Sequence, residues 1–279
     1  MAIFDPERDR DLAFRFGQDV GVSAMVYLAI VLWPLGEVER ARELVDATAT
    51  RIAELGHLAT STYGLMHNAM FEIIGRNVDR AAPLAKALSS VAHEHGIALW
   101  IAFGAFLEAW AELRSGSPEI GLSNMRRAAA LLQRDGVGAF QPLVKTALAE
   151  AEARNAETEA ALATLEQALK DFDRTGQQWF DAEIHRTRGD ILLEKNPADP
   201  APAEDAFLTA IAIARQQGAR SFELRAALSL AKLYRATSRH ADAHAVLGPA
   251  LKGFSPTPEF PEIAEAGEFV ATPEASARG

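Results

Sequence analysis

The sequence predicts an all-α protein, an α-solenoid of about six antiparallel helical hairpins, and a repeating 40-residue step predicts it. Gly56, Gly96, Gly136, Gly176 and Gly218 each close a charged or polar helical run, and they stand 40, 40, 40 and 42 residues apart. Small residues keep the same step at Ala29, Ala69, Ala109, Ala149, Gly189 and Ala231, and twelve residues after these come Ala41, Ala81, Gly121, Ala161, Ala203 and Ala243. Four positions on, the residues are all apolar: Val45, Ala85, Met125, Leu165, Phe207 and Leu247. Three beyond those stand Thr48, Leu88, Ala128, Ala168, Ala210 and Ala250. No alternating run of branched or aromatic residues is long enough to read as a strand.

Residues 1–18 form a lead-in, 19–254 the array, and 255–279 a C-terminal cap and a partly flexible tail. In the outgoing helices, Val22, Val26, Ala29 and Trp33 make a stripe that returns as Thr62, Met66, Ala69 and Ile73, and as Ala102, Phe106, Ala109 and Leu113. The turns that follow are marked by Gly36-Glu37, Gly75-Arg76-Asn77, Gly116-Ser117-Pro118 and Asn155-Ala156. The fourth returning helix places Leu162, Leu165, Ala168, Leu169 and Phe172 on one face, with Glu159, Glu166, Lys170 and Asp173 on the other. Gly176 ends it in the left-handed conformation that glycine adopts cheaply, and the next helix begins near Gln178. In the fifth unit Asn196 to Pro202 carries three prolines and two extra residues, which demands an exposed loop and moves the later step to 42. After Gly253 the reading is a capping helix near Glu259 to Phe269 and a frayed tail from about Ala271.

Composition narrows the function classes. Apolar residues make up 49% and charged residues 24% of the 279, the balance of a folded protein. A net charge of −10 repels phosphate backbones, so nucleic acid is not an expected partner. The absence of cysteine removes disulfides, thiolate zinc sites and cysteine nucleophiles, and agrees with a reducing cytoplasm. Acidic residues near the N-terminus argue against an export signal. The most apolar run, Val20 to Gly36, contains Ser23 and Pro34 and is shorter than the roughly 20 apolar residues of a membrane span, so no membrane partner is expected.

The small residue of the outgoing helix, the alanine twelve on and the small residue seven beyond (Ala29, Ala41, Thr48; Ala149, Ala161, Ala168) resemble the tetratricopeptide repeat. Repeats of that family run to about 34 residues, and the extra six fall between one hairpin and the next. HEAT repeats have a compatible length of about 40 to 47, but the small-residue pattern favours the tetratricopeptide reading. The resemblance implies a right-handed superhelix whose groove holds a protein or peptide segment. Four segments, Phe14–Val22, His95–Trp100, Trp179–Leu193 and Ala214–Ala227, further resemble the C-terminal repeat region of bacterial signalling proteins that carry a class III adenylate or guanylate cyclase domain and a STAND-type ATPase module. In that family the array senses and binds while the chemistry lies upstream. The resemblance therefore implies a non-catalytic scaffold or regulatory region, with cyclase and ATPase domains as partners and no catalytic residue or cofactor to carry over.

The residues themselves agree on chemistry. No glycine-rich turn ends in Gly-Lys-Ser or Gly-Lys-Thr, so no phosphate cradle exists, and Gly121-Leu-Ser-Asn-Met125 lacks the strand and final glycine of a nucleophile elbow. His240 and His244 have a metal-compatible spacing but lack a third ligand, and His93 and His95 suit the carbonyl end of a helix. Trp33, Trp100, Trp110 and Trp179 read first as core fillers. The residues just before the small outgoing-helix positions are Leu28, Asn68, Glu108, Leu148, Arg188 and Leu230. Asn68, Glu108 and Arg188 either line a polar patch along the groove or bond between neighbouring helices. With His185 and Trp100 they make up the candidate binding set, and a small-molecule sensor using that patch is the alternative to a protein-binding groove.

The seam reading has a direct test. Ala109→Leu or Ala161→Leu is expected to cost about 1 to 3 kcal/mol by overpacking, whereas Ala275→Leu in the tail is silent. Equal, negligible shifts in melting temperature for all three would place the register elsewhere.

Overall fold

The structure, a computed structural model, describes residues 11–115, 118–134, 138–175 and 178–271, apart from the side chains of residues 12, 118–120 and 172–175. Among the described residues there are fourteen helices and no strand. After the short α1 (Leu12–Phe16) come six hairpins: α2 (Val20–Leu32) with α3 (Val38–Leu55), α4 (Leu58–Gly75) with α5 (Val78–Glu94), α6 (Ala98–Ser115) with α7 (Pro118–Arg134), α8 (Gln141–Arg154) with α9 (Thr158–Thr175), α10 (Asp181–Lys195) with α11 (Ala201–Gln217), and α12 (Arg220–Ala236) with α13 (His240–Leu251). A final helix, α14 (Glu262–Ala271), packs on α12 and α13. Where the sequence reads as one run, the chain divides into two compact units of three hairpins, Met1–Trp33 with Glu37–Gly138, and Pro34–Gly36 with Ala139–Gly279.

The periodic residues are the core. Every alanine of the two small series is at most 1% exposed, and the apolar positions four residues beyond the second series are buried throughout. Glycine stands in a series where no side chain fits. A Cβ at Gly189 would lie 2.5 Å from the ring of Phe207, and one at Gly121 would lie 2.8 Å from Leu113. The two helices of a hairpin therefore meet backbone to side chain, close enough that the small residue is a steric requirement.

The first helix is fixed by bonds that reach across the hairpin. Asp19 caps α2 by accepting from the Val22 amide at 2.8 Å, donates its own amide to the Thr60 hydroxyl at 3.0 Å and pairs with Arg51 of α3 at 3.0 Å. One residue thus ties the starts of α2 and α4 to the end of α3, its carboxylate serving α2 and α3 and its backbone amide α4.

The ends of the returning helices follow the glycine step. Gly56, Gly96 and Gly218 take φ values of 56°, 65° and 66°, and the Gly56 amide donates to the carbonyl of Ile52. Gly136, Gly176 and the Gly116-Ser117 turn lie outside the described residues, as does the tail beyond Ala271. The opposite turns that are described fall at the residues the sequence marks. Gly75 is helical, and the left-handed residue is Arg76, matched by Gly36, Ala156 and Ser238 at the corresponding places of other hairpins. Helix α10 begins at Asp181 and not near Gln178, because Trp179 donates its indole N–H to the Ala139 carbonyl at 3.1 Å while Phe180 packs edge-on against Phe222. The proline-rich loop is exposed as expected but ends at Pro200, with Pro202 already in the first turn of α11. The capping helix falls a few residues later than expected, at Glu262–Ala271.

A left-handed backbone costs an L-residue about 1 to 2 kcal/mol relative to glycine. Arg76→Gly, Ala156→Gly and Ser238→Gly are each expected to raise or preserve the melting temperature, whereas glycine at the helical Ala153 should lower it. A uniform loss at all four sites would show that the turn conformation is wrong.

Candidate functional site

In the second unit the outgoing helices α8, α10 and α12 lie side by side, with α14 beyond α12. Helical geometry places Glu183, Arg186, Thr187 and Asp190 on one face of α10. Arg186 is the hub of that face. Its Nε donates to Glu183 at 3.0 Å, Nη1 to Asp190, and Nη2 to both Glu150 of α8 at 3.2 Å and Thr187 at 2.8 Å. Arg225 of α12 continues the row: its Nε donates to Glu262 of α14 at 2.8 Å, Nη1 stands 3.7 Å from Glu183, and its guanidinium lies 5.3 Å from the Phe260 ring centroid.

Both arginine side chains and Glu183 are only 3% exposed, Glu150 and Glu262 are partly exposed, and Asp190 is 47% exposed. Burial works against a charge on Arg186, but the charges of Glu183, Asp190 and Glu150 outweigh it and hold the guanidinium pKa above its ordinary value. Glu150, Glu183, Asp190 and Glu262 are the carboxylates bonded to or paired with these two arginines. Truncating one partner of a buried pair typically costs about 3 to 5 kcal/mol, which makes this row a rigid element of the unit.

The first unit carries a second polar cluster between α2 and α4. His67 is buried and donates Nδ1–H to the Tyr63 carbonyl at 2.8 Å, with its ring 4.0 Å from that of Tyr63 and 5.3 Å from that of Tyr27. Burial lowers the His67 pKa to about 4, with the backbone bond opposing it in part. Burial and the neighbouring Tyr27 phenol push Tyr63 up to about 12, against the effect of Gln18 and Ser23.

The residues picked from the sequence share a register and differ in surroundings. Asn68 is 2% exposed and its Nδ2 donates to the Val45 carbonyl of α3 at 3.4 Å. Glu108 is half-buried, and Trp100, also half-buried, lies 5.9 Å from the Phe103 ring. In the second unit Arg188 is exposed and His185 half-buried, with the His185 pKa lowered by burial and then by the Arg188 charge. Both project from the side of α10 away from Arg186, where the Arg188 charge acts on Glu166 of α9. Trp33 and Trp110 are buried in the core, and Trp179 is half-buried in its turn. His93 donates Nδ1–H to the Ser89 carbonyl at 2.8 Å, and His244 lies 6.4 Å from the Phe269 ring. Among the described residues no group of three or more histidines, aspartates or glutamates is arranged to hold a metal, and no helix is long and apolar enough to cross a membrane.

Sequence reasoning missed the Arg186 row. Its signal was present: Glu183 and Arg225 each stand six residues before a small seam residue, Gly189 and Ala231, so opposite charges recur at one register on adjacent outgoing helices.

His67 gives the first unit a pH dependence. The unfolded imidazole has its ordinary pKa near 6.5, so below that value the unfolded chain binds a proton that the folded chain refuses until about pH 4. The stability contributed by the neutral ring is complete above pH 6.5 and is lost as pH falls. Between pH 7 and 4.5 the wild type is expected to lose about 2 to 3 kcal/mol more than His67→Leu, a variant that copies the buried Leu107 one unit on. Equal losses in chemical denaturation would show that His67 is not the group responsible.

No known family profile matches the chain. An uncharacterised curated protein of Rhizobium meliloti (strain 1021) is 22% identical over 234 residues, covering 84% of this chain and 23% of that protein. Among solved structures, a Signal Transduction ATPase with Numerous Domains (STAND) protein with a tetratricopeptide repeat sensor, from Pyrococcus horikoshii, aligns at a TM-score of 0.46 and 14% identity over 95% of this chain and 44% of that one. The chain thus spans less than a quarter of the length of the curated relative and less than half of the solved chain.

Proposed function

We propose that the chain is a non-catalytic interaction and regulatory module that seats a basic polypeptide segment along the outgoing-helix face of its second unit. The observation that carries this reading is the row from Glu150 through Glu183 and Asp190 to Glu262, in which two buried arginines hold carboxylates in place across α8, α10, α12 and α14. Asp190, exposed, and Glu150 and Glu262, partly exposed, are held by the buried arginines and lose little freedom on meeting lysine or arginine side chains or backbone amides, which is what favours binding. Of the five residues picked from the sequence, Arg188, His185, Glu108 and Trp100 remain candidate contacts on solvent-facing or half-buried positions, whereas the place of Asn68 suits packing. The segment-by-segment sequence resemblance supports a further assignment: the module serves a bacterial class III cyclase and STAND-type ATPase system, with the cyclase or ATPase domains supplying the bound segment.

Two labelled peptides of equal length, one lysine-rich and one glutamate-rich, test the reading by fluorescence anisotropy. The lysine-rich peptide is expected to bind at least about tenfold more tightly and to weaken as salt rises. Asp190→Asn should reduce that binding while leaving Arg186 bonded to Glu183 and Glu150, so the fold survives. Asp199→Asn, the same charge change on the exposed α10–α11 loop, is the control and should have no effect. Equal loss in both variants would reduce the preference to net charge and remove the proposed site.

A further inference from the structure

The outward face of α2 is apolar and open. Val20, Ala24, Tyr27, Leu28 and Val31 share one arc of the helix, with Val20 46%, Tyr27 48%, Leu28 42% and Val31 53% exposed. No charged residue occurs from Val20 to Leu32. A contiguous exposed apolar arc of this kind marks an interaction surface.

One step of 40 residues later the same positions on α4 are Thr60, Gly64, His67, Asn68 and Phe71, and all five are buried. Helix α3 covers three of them, while Thr60 meets the Asp19 amide and His67 meets Tyr27 of α2. A side chain at Gly64 would run into Ile52 of α3, Asn68 donates to the Val45 carbonyl of α3, and Phe71 lies 4.9 Å from the Arg42 guanidinium of α3. Most matching places elsewhere are buried or half-buried as well, the exposed Arg188 at the Leu28 place of α10 being an exception. Gly104 of α6 sits against Ser89 of α5, and in the second unit Ile184, Thr187 and Ile191 of α10 and Ala226, Leu230 and Leu233 of α12 are buried at the matching places. Each of these outgoing helices receives the returning helix of the hairpin before it, and α2 has the same small residue, Ala24, at the centre of the same arc.

We propose that this face of α2 is a docking surface for the returning helix of one more hairpin of the same kind. The face also specifies its occupant. Arg42 of α3 pairs with Glu72 of α4 at 2.5 and 2.8 Å, but the residue matching Glu72 on α2 is Leu32. A cation at the Arg42 place would have no carboxylate, so the docking helix carries an apolar residue there together with apolar residues at the places of Val45 and Ile52.

The test keeps the whole chain and inserts a second copy of residues 17–56, carrying Arg42→Leu in the copy, between Phe16 and Gly17. Hydrogen exchange is followed in the original α2 and in α4. In the unextended chain α2 is expected to exchange faster than α4, and the insertion should slow the original α2 by about tenfold or more. Val31→Arg in the original α2 should abolish that slowing, while leaving the melting temperature of the unextended chain unchanged because Val31 is exposed there. Unchanged exchange of the original α2 on insertion would overturn the proposal. So would full protection of α2 in the dilute unextended chain, which would mean that the chain covers the face itself. Protection that grows with concentration alongside a dimer in sedimentation would assign the face to a second copy instead.

Discussion

The close approach of the two helices in each hairpin is the constraint on which the rest depends. Where Gly189 meets the Phe207 ring and Gly121 meets Leu113, even a methyl group is too large, and elsewhere in the two series alanine stands in the seam, at most 1% exposed. That spacing dictates which residues of the returning helix point inward, so Val45, Met125, Leu165 and Phe207 fill the space one turn further on. It also sets the repeat. A unit that must bring two small residues twelve apart into contact, and then hand its outer face to the next unit, can vary its loops but not its register.

Charged groups enter this apolar scheme only where several partners surround them. Arg42 reaches Glu72 with both nitrogens and lies over Phe71, Arg51 pairs with the Asp19 that caps α2, and Lys145 pairs with Asp171. Desolvating such groups is expensive, and replacing a whole buried pair by apolar residues is often neutral or stabilising. Their worth is therefore geometric: each bond joins a specific pair of helices. In the second unit the same logic is carried across four helices, where Arg186 and Arg225 share Glu183 and each reaches a further carboxylate on a neighbouring helix. The network holds Asp190 at the edge of that face, and the solvent-facing arc of α2 is the complementary case, an exposed helix face that is apolar.

Much of the fold was legible because helical periodicity and steric exclusion leave marks on single positions. The six hairpins, the seam alanines and the Gly56, Gly96 and Gly218 helix ends could all be read from spacing. Which turn residue is left-handed could not, since Arg76, Ala156 and Ser238 adopt a conformation that their residue types disfavour, held there by the helices on either side. The candidate site was less legible still. Asn68 and Arg188 occupy one register but end up buried and exposed respectively, because burial depends on what the neighbouring hairpin presents at that height.

By itself the sequence determined the helix content, the 40-residue unit, the close seams and the exposed loop at Asn196 to Pro200. These follow from local physics: which residues favour helix, which allow contact, and which break the chain's path. Only the tertiary structure decided that the run divides into two units of three hairpins, that Arg186 and Arg225 lie inside a shared carboxylate row, and that the arc of α2 stands open where its counterpart on α4 is covered by α3. Those outcomes depend on pairings between residues some 30 to 40 positions apart, such as Arg42 with Glu72 and Arg186 with Glu150, and a pairing at that distance is settled by packing, which no single stretch of sequence contains.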